Sequence, residues 1–270
     1  MAGVVITITS GKGGVGKTTT TANLGVALAR RGKRVACLDA DIGLRNLDVV
    51  LGLENRIVYD IVDVVEGRAR VRQALIKDKR LPDLQMIPAA QTRDKTAVRP
   101  DQMVKVSDDL RKDFDYILVD SPAGIEQGFK NAIAPADRVL IVTTPEVSAV
   151  RDADRIIGMC EAAEKDPPKL ILNRLRPSMV KRGDMLTTED VLEVLAIDLI
   201  GIVPEDESII TSTNRGQPVA LEERTPAGAA FGRIAQRIMG QDVPFAVFQE
   251  NNNLLQRMSR WFRGGDNREP

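Results

Sequence analysis

Residues 11–18 read Gly11-Lys12-Gly13-Gly14-Val15-Gly16-Lys17-Thr18, which fits the pattern G-x-x-x-x-G-K-[ST]. The octapeptide lies between an apolar run at residues 4–8 and a helical pattern that begins near Thr18. A strand, a glycine-rich loop and a helix in this order bind phosphate, because the loop turns backbone N–H groups inward and the helix N-terminus adds positive charge. The stretch therefore predicts a nucleotide-binding α/β fold.

Two side chains of the loop have predicted roles toward a bound triphosphate. Lys17 is expected to reach the β and γ phosphates, and Thr18 is expected to hold Mg²⁺ through its hydroxyl. A glycine-rich turn without a ligand is the alternative, but the complete pattern in its strand and helix setting favours the nucleotide. We therefore predict that all of residues 11–18 contact ATP, with Mg²⁺ as cofactor.

The composition narrows the classes of function. The chain has 270 residues, 43% of them hydrophobic, with 38 basic and 38 acidic residues and no histidine. It is long enough for one large α/β domain, and its zero formal charge argues against general nucleic-acid binding. Cys37 and Cys160 lie far apart without C-x-x-C spacing, so neither a zinc site nor a histidine relay is expected. The absence of a signal-peptide pattern and of a 20-residue apolar run predicts a cytoplasmic protein.

The fold prediction is a mostly parallel twisted sheet with helices on both faces, because continuous apolar strands alternate with helical patterns. Strands are predicted at residues 4–9, 34–39, 84–88, 116–120, 139–143, 170–173 and 199–203, and helices at 18–31, 100–112, 147–163, 188–195 and 226–239. One domain is predicted for residues 1–243, followed by a tail at 244–270. Ligands of such sheets bind beyond the carboxyl ends of the strands. One carboxylate stands there directly after an apolar run: Asp120 is expected to hold Mg²⁺ through water, or, alternatively, to cap the strand end.

The second lysine of the loop, Lys12, carries a resemblance to a known family. The run Lys-Gly-Gly-Val-Gly-Lys-Thr resembles the deviant Walker A motif of the MinD/ParA family of P-loop ATPases. The resemblance implies that Lys12 crosses a dimer interface to touch the phosphates bound by the partner subunit. It would stabilise charge on the transferred phosphoryl group, as an arginine finger does. An ATP-dependent homodimer is therefore expected.

The same resemblance assigns further site residues. It implies that residues 39–46 form switch I, with Asp41 orienting the attacking water and Asp39 near the metal through water, an allocation that could be reversed. Gly124 gives the loop after Asp120 the freedom of switch II. Two strand ends are implied to surround adenine. Their residues are Asn173, whose amide can both donate and accept, with Arg174, Pro204, Glu205 and Asp206.

The tail has the pattern of an amphipathic helix at residues 253–263. At about 100° per residue, its apolar side chains share one arc and its arginines lie on the flank and opposite side. The apolar set is Leu254, Leu255, Met258, Trp261 and Phe262, and the basic set is Arg257, Arg260 and Arg263. Such a segment suits an anionic membrane surface, which members of the family also bind. Docking on the protein's own domain or on a partner remains the alternative.

Several stretches resemble the septum-placing members of the family in particular. They are residues 41–48 (Asp-Ile-Gly-Leu-Arg-Asn-Leu-Asp), 73–79, 92–95, 120–126, 150–155 and 182–186. The resemblance implies a switch that binds the inner face of the cell membrane reversibly, recruits the FtsZ inhibitor MinC and is released by MinE. Asp152 and Asp154 are candidates for the partner surface, or else exposed helix charges.

Other classes share parts of this pattern. A DNA-segregation ATPase of the ParA type would have the phosphate site but would need a basic surface instead of the tail. A flagellar-placement relative would differ mainly in its partner. The iron–sulfur electron donor of nitrogenase has the deviant loop, but Cys37 and Cys160 lack its cluster-ligand context. The chain could also be a scaffold that binds ATP without hydrolysing it. In that case replacing Asp41 with alanine would leave ATP turnover unchanged.

Overall fold

A computed structural model describes residues 2–246 of the chain. Within this range the strands are β1 (Val4–Thr9), β2 (Val35–Asp39), β3 (Ile76–Lys77), β4 (Leu84–Ile87), β5 (Tyr116–Asp120), β6 (Arg138–Thr143), β7 (Lys169–Leu175) and β8 (Leu199–Pro204). They form one sheet in the order β3-β4-β2-β5-β1-β6-β7-β8. All pairings among these described strands are parallel, except that β3 runs antiparallel to β4.

Helices cover both faces of this sheet. In the described range they are α1 (Lys17–Ala29), α2 (Leu47–Leu51), α3 (Ile61–Val65), α4 (Val71–Ala74), α5 (Pro100–Leu110), α6 (Gln127–Ile133), α7 (Val147–Ala162), α8 (Pro177–Arg182), α9 (Thr188–Leu195), α10 (Glu207–Asn214) and α11 (Pro226–Ile238). The predicted fold class, a mostly parallel sheet with helices on both faces, is confirmed. No helix in residues 2–246 combines the length and apolarity needed to cross a bilayer.

Each central strand sends side chains to both layers, as the two-residue period of a strand requires. In β1, Ile6 and Ile8 pack into a cluster with α1, α2 and α11. Val5 points to the opposite face, where it packs with residues of α3, α4 and α5. Since both faces are buried, the strand is apolar apart from the buried Thr7 and Thr9. This explains why continuous apolar runs identified the central strands in the sequence.

The predicted elements occur with ends displaced by at most two residues. The sequence patterns missed β3, which has only two residues, and the short helices α2, α3, α4, α6, α8 and α10. These helices have four to eight residues, so helical periodicity is hardly sampled in them. They follow strand ends or loops, and α2 and α10 border the functional site described below.

The carboxyl ends of the parallel strands meet at one rim of the sheet. Asp120 at the end of β5 lies beside Ile8 of β1 on one side and beside Asp39 of β2 on the other. The phosphate loop follows β1 and so begins between these acidic strand ends and β6. The polar residues that the sequence placed at strand ends are therefore brought together by the strand order.

The chain leaves the domain beside β8. Arg237, in the last turn of α11, holds the segment that follows the helix through hydrogen bonds from Nε to the Val243 carbonyl and from Nη2 to the Pro244 carbonyl, both 2.9 Å. Its guanidinium also stacks 4.0 Å from the Phe245 ring centroid. The predicted amphipathic segment at residues 253–263, with all eight of its assigned side chains, lies outside the described residues.

Candidate functional site

The phosphate loop has the backbone conformation that its glycines predict. Gly14 and Gly16 have φ angles of 78° and 103°, a region that side-chain-bearing residues rarely adopt. Gly16 caps the N-terminus of α1, so the loop leads directly into the helix. At Gly11 a Cβ would lie 2.1 Å from the Asp152 carbonyl oxygen, so only glycine allows α7 to approach the loop this closely. The loop is thus closed on one side by α7.

Lys17 is a buried cation at the base of this loop. Its side chain donates from Nζ to the Ser10 hydroxyl at 3.0 Å, and the residue is 8% exposed. Burial lowers the pKa of Lys17, while the charges of Asp120 and Asp41 act in the opposite direction. A buried ammonium is costly unless anions surround it, and a phosphate chain would supply them.

Asp120 and two threonines of α1 form the polar floor of the site. Asp120 is 1% exposed, and it accepts hydrogen bonds from the Thr18 hydroxyl and, at 3.1 Å, from the Thr21 hydroxyl. Burial raises the pKa of Asp120, although Thr18 and the charge of Lys17 lower it. The predicted metal residues Thr18 and Asp120 are therefore in direct contact.

Asp39 has a structural task that the sequence did not reveal. One carboxylate oxygen accepts from the Asp41 N–H at 3.0 Å, and the other accepts from the Asn46 and Leu47 N–H groups at 3.2 Å each. These bonds fix both ends of switch I and the start of α2. Burial and the neighbouring charge of Asp120 raise the pKa of Asp39. Asp41 is half-buried, and its carboxylate is near enough to Lys17 to affect that pKa.

The donor set fits a Mg²⁺ ion bound together with a nucleotide. Two buried carboxylates, Asp39 and Asp120, sit on neighbouring strands, and their mutual repulsion would be relieved by a cation. The Thr18 hydroxyl, hydrogen-bonded to Asp120, would add an oxygen ligand at the same place. Among residues 2–246 no group of three or more acidic, cysteine or histidine side chains forms a cage. Mg²⁺ usually takes one or two protein oxygens and completes its shell with waters and phosphates, so this set is sufficient.

A cavity of about 220 Å³ adjoins the start of α1. Its lining consists of Gly16, Thr19, Asn173, Arg174, Glu205, Asp206, Glu207, Ile209 and Ile210. Four of the five residues predicted to surround the base line this cavity, while Pro204 is buried at the end of β8. The sequence patterns missed Thr19, Glu207, Ile209 and Ile210. The only signal for the isoleucines was an Ile-Ile pair closely following the Pro-Glu-Asp stretch.

Asn173 connects the base cavity to the phosphate loop. Its Nδ2 donates to the Val15 carbonyl at 2.7 Å, and Nδ2 also lies 2.4 Å from the position of a Cβ on Gly16. Its Oδ1 is buried without a hydrogen-bond partner among the described residues. Asn173 lines the cavity, and its unpaired amide oxygen is the kind of acceptor that suits a ligand with an N–H donor, such as the exocyclic amine of adenine.

The base-binding loop, which follows β8 and carries Glu205 and Asp206, is held by hydrogen bonds and an ion pair within the chain. Asp206 caps α10 by accepting from the Ser208 N–H at 2.9 Å, and it also accepts from the Ala227 N–H at 3.0 Å. Glu205 pairs with Arg176 at 3.1 Å. Asp206 therefore shapes the cavity through the backbone that it fixes.

Lys12 lies on the rim and away from the polar floor of its own loop. Its side chain is 43% exposed, donates to the Ser148 hydroxyl at 3.1 Å and lies 3.6 Å from the Glu146 carboxylate. Of the candidate partner residues on α7, Asp154 is exposed and Asp152 is half-buried against Gly11. The side chain of Lys12 thus stands at the surface beside the start of α7.

A larger concavity of about 670 Å³ lies among α3, α4 and α5, away from the strand ends. Charges at its edge pair with each other, as Arg72 does with Asp113 at 2.9 Å and Arg99 with Asp101 at 3.0 Å. Size alone does not make it the substrate site, because neither the phosphate loop nor the acidic strand ends contribute to it. The chemistry is concentrated at the smaller cavity.

Comparisons with known proteins agree with this geometry. Residues 6–219 match the family model of the CobQ/CobB/MinD/ParA nucleotide binding domain. The septum site-determining protein MinD of Bacillus subtilis is 54% identical over 264 residues, covering 97% of this chain and 98% of that protein. MinD of Aquifex aeolicus, in a MinC:MinD complex, superposes with a TM-score of 0.85 at 51% identity, covering 92% of this chain and 100% of that chain.

A third relative is MinD of Pyrococcus horikoshii complexed with Mg-ADP. It superposes with a TM-score of 0.80 at 29% identity, covering 87% of this chain and 95% of that one. The family match and the full-length identity confirm the resemblance that the phosphate loop indicated. The chain belongs to the CobQ/CobB/MinD/ParA family of nucleotide-binding proteins, in the branch of the MinD septum site-determining proteins, and is an ATPase.

Proposed function

We propose that this ATPase is a nucleotide-controlled dimer that binds the inner face of the cell membrane through its C-terminal tail and helps to place the division septum. In the ATP-bound state it recruits MinC, and MinE-stimulated hydrolysis releases it. The observation that carries the proposal is the position of Lys12, which stands at the exposed rim rather than over its own chain's polar floor.

The rim around Lys12 has the character of an interface. Three large apolar side chains are exposed there: Leu44 of switch I at 61%, Ile125 of switch II at 49% and Val147 at the start of α7 at 62%. Single exposed apolar residues are ordinary, but three on the loops that border one site favour a covered surface. A second copy facing this rim would bring its Lys12 toward the phosphates, where a cation stabilises developing negative charge.

Within each subunit, different residues bind the phosphates, the base and the Mg²⁺ ion of ATP. Residues 11–18 hold the phosphates, with Lys17 as the buried cation, and the cavity beside Asn173 receives adenine. Thr18 and Asp120 hold Mg²⁺, with Asp39 close by. When bound, Mg²⁺ neutralises charge on the phosphate oxygens. Asp41 lies near Lys17 and Asp120, and it orients the water that converts ATP to ADP and phosphate.

The energetics of the tail support membrane binding that depends on dimerisation. Full burial of its five apolar side chains would yield ~8–15 kcal/mol, and interfacial burial yields less. Ordering about 11 residues costs ~1–2 kcal/mol each, so a single tail binds weakly. Two tails on one dimer raise retention ~10²–10⁴-fold through avidity. The nucleotide state is thereby converted into occupancy of an anionic membrane.

The protein partners in this proposal are inferred from the relatives of the chain. The Aquifex aeolicus relative at 51% identity forms a complex with MinC, which supports MinC as a partner of this chain. MinE as the release factor, and the role of exposed Asp154 and neighbouring Asp152 in contacting partners, extend the proposal by family membership. DNA is not expected as a partner, because the chain has zero net charge.

Co-sedimentation with anionic vesicles tests the membrane part. The intact chain and a chain ending at residue 246 are each incubated with Mg·ATP or Mg·ADP. We expect pelleting only for the intact chain with ATP. The tail would instead be a protein-docking segment if the intact chain stays in the supernatant with ATP. Equal pelleting with ADP would contradict the nucleotide switch.

A further inference from the structure

The turn between β3 and β4 contains a buried ion pair far from the phosphate loop in sequence. The Asp78 side chain is 1% exposed, and its carboxylate accepts from Arg80 Nη2 at 2.6 Å and from Arg80 Nε at 3.2 Å. It also accepts from the backbone N–H groups of Arg80 at 2.6 Å and Leu81 at 3.2 Å. The two backbone bonds hold the carboxylate in place, and the two bonds from Nε and Nη2 fix the orientation of the guanidinium.

The outer edge of that guanidinium joins two helices that are distant in sequence. Arg80 Nη2 donates to the Leu51 carbonyl at 2.7 Å, and Arg80 Nη1 donates to the Gly216 carbonyl at 2.8 Å. Leu51 is the last residue of α2, and Gly216 lies two residues beyond α10. Carbonyls at helix C-termini lack partners within the helix, and a cation there also interacts favourably with the helix dipole.

The same two helix ends touch through their backbones. A Cβ on Gly52 would lie 2.5 Å from the Gly216 carbonyl oxygen, and a Cβ on Gly216 would lie 2.6 Å from the Gly52 Cα. Both residues also have positive φ, 68° and 60°. Contact this close leaves no room for a side chain at either glycine, so the C-terminal ends of α2 and α10 pack backbone to backbone beside Arg80.

The opposite ends of these helices lie at the two halves of the nucleotide site. The start of α2 is fixed to Asp39 through the Asn46 and Leu47 N–H groups. The start of α10 is capped by Asp206, and Ile209 of α10 lines the base cavity. A connection between the far ends of α2 and α10 therefore connects switch I to the base-binding loop.

We propose that Arg80, oriented by buried Asp78, is a positioning residue that couples occupation of the base cavity to the geometry of switch I during ATP hydrolysis. Arg80 contacts none of the residues that line the base cavity in the described structure, so it acts through α2 and α10. The proposal rests on the assignment of that cavity to adenine. A correct base orders α10, the Arg80 bridge transmits this order to α2, and switch I presents Asp41 correctly.

The test compares base discrimination in catalysis, measured as kcat at saturating nucleotide for ATP and for GTP. In the unaltered chain we expect kcat to be at least ~5-fold higher with ATP, the lower end of ordinary coupling between sites. In Arg80→Met the kcat with ATP should fall to the value that GTP gives, so the ratio approaches one. Binding of Mg·ADP should change by less than threefold, about 0.7 kcal/mol. Arg80→Lys keeps the charge but loses the forked guanidinium, so its ratio of kcat with ATP to kcat with GTP should lie between those of the unaltered chain and Arg80→Met.

Arg72→Met is the matched control, because Arg72 also pairs with an aspartate, Asp113, but in an exposed ion pair. It should retain the ATP to GTP ratio. A purely structural Arg80 would lower the melting temperature while kcat at saturation, measured well below that temperature, stays unchanged, and this would overturn the proposal. Equal kcat for ATP and GTP in the unaltered chain would overturn it as well. Failure of the proposed ATP site is distinguishable, since ATP hydrolysis would then be absent from the unaltered chain.

Discussion

Replacing Gly16 with alanine should destabilise the nucleotide-free protein by more than replacing Gly14. Both glycines have positive φ, 103° and 78°, and each costs an alanine about 1–3 kcal/mol in backbone strain. A Cβ at position 14 meets no atom within 4 Å, whereas a Cβ at position 16 lies 2.4 Å from Asn173 Nδ2. The two variants therefore share the backbone strain and differ in the side-chain clash.

The clash should break the 2.7 Å hydrogen bond from Asn173 to the Val15 carbonyl. Leaving these buried polar groups unpaired costs about 1–3 kcal/mol. For a domain of this size, that penalty lowers the melting temperature of Gly16→Ala by about 2–12 °C relative to Gly14→Ala. Thermal and urea unfolding without nucleotide measure the difference.

A double-mutant cycle isolates the contact. Because Asn173→Ala removes the clashing amide, it should destabilise the Gly16→Ala background by less than it destabilises the unaltered chain, with a coupling of about 1 kcal/mol. The reasoning is refuted if Gly16→Ala and Gly14→Ala melt together, or if the two substitutions at positions 16 and 173 are additive.

Three further outcomes are expected. Lys17→Gln should weaken Mg·ADP binding at least ~10-fold in calorimetry, since it removes a charge-assisted contact worth about 1.5–3 kcal/mol. Burial raises the pKa values of Asp39 and Asp120 in the folded state. The stability that these carboxyl groups contribute without nucleotide is therefore fully present below about pH 4, the pKa of an unfolded aspartate. It is lost as the pH rises through their pKa values in the folded protein. Urea midpoints between pH 4 and 8 should therefore fall, and Asp120→Asn should flatten the slope. Asp137→Ala should cost about 1–3 kcal/mol, because Asp137 accepts a 2.8 Å bond from a β1 N–H, whereas Asp101→Ala in an exposed pair should change stability by less than about 1 kcal/mol.

The sequence predicted the centre of the molecule well, for identifiable reasons. A strand that is buried on both faces, such as β1, is largely apolar, and the glycine-rich loop follows it in the sequence. Asp120 could be singled out because it is a carboxylate directly after such a strand. Local pattern and position in the fold agree in these elements, so the prediction needed no tertiary information.

Elements whose existence depends on distant partners were missed. The two residues of β3 have no period to read, and β3 is a strand because β4 lies beside it. Asp39 accepts hydrogen bonds from three backbone N–H groups. These bonds exist only in the folded structure, where switch I turns back over Asp39, so the sequence could not predict them. Likewise the resemblance at residues 73–79 included Asp78, but the carbonyls that its partner Arg80 bridges are 29 and 136 positions away.

The molecular mass in solution tests the central claim, a dimer formed in the triphosphate state with Lys12 at its interface. Analytical ultracentrifugation of the intact chain with a non-hydrolysable ATP analogue and Mg²⁺ should give twice the chain mass of 29.5 kDa. With Mg·ADP the chain should be monomeric, and Lys12→Ala should remain monomeric with either nucleotide while still binding both. A monomer with the ATP analogue, or a Lys12→Ala variant that dimerises as the unaltered chain does, would contradict the account.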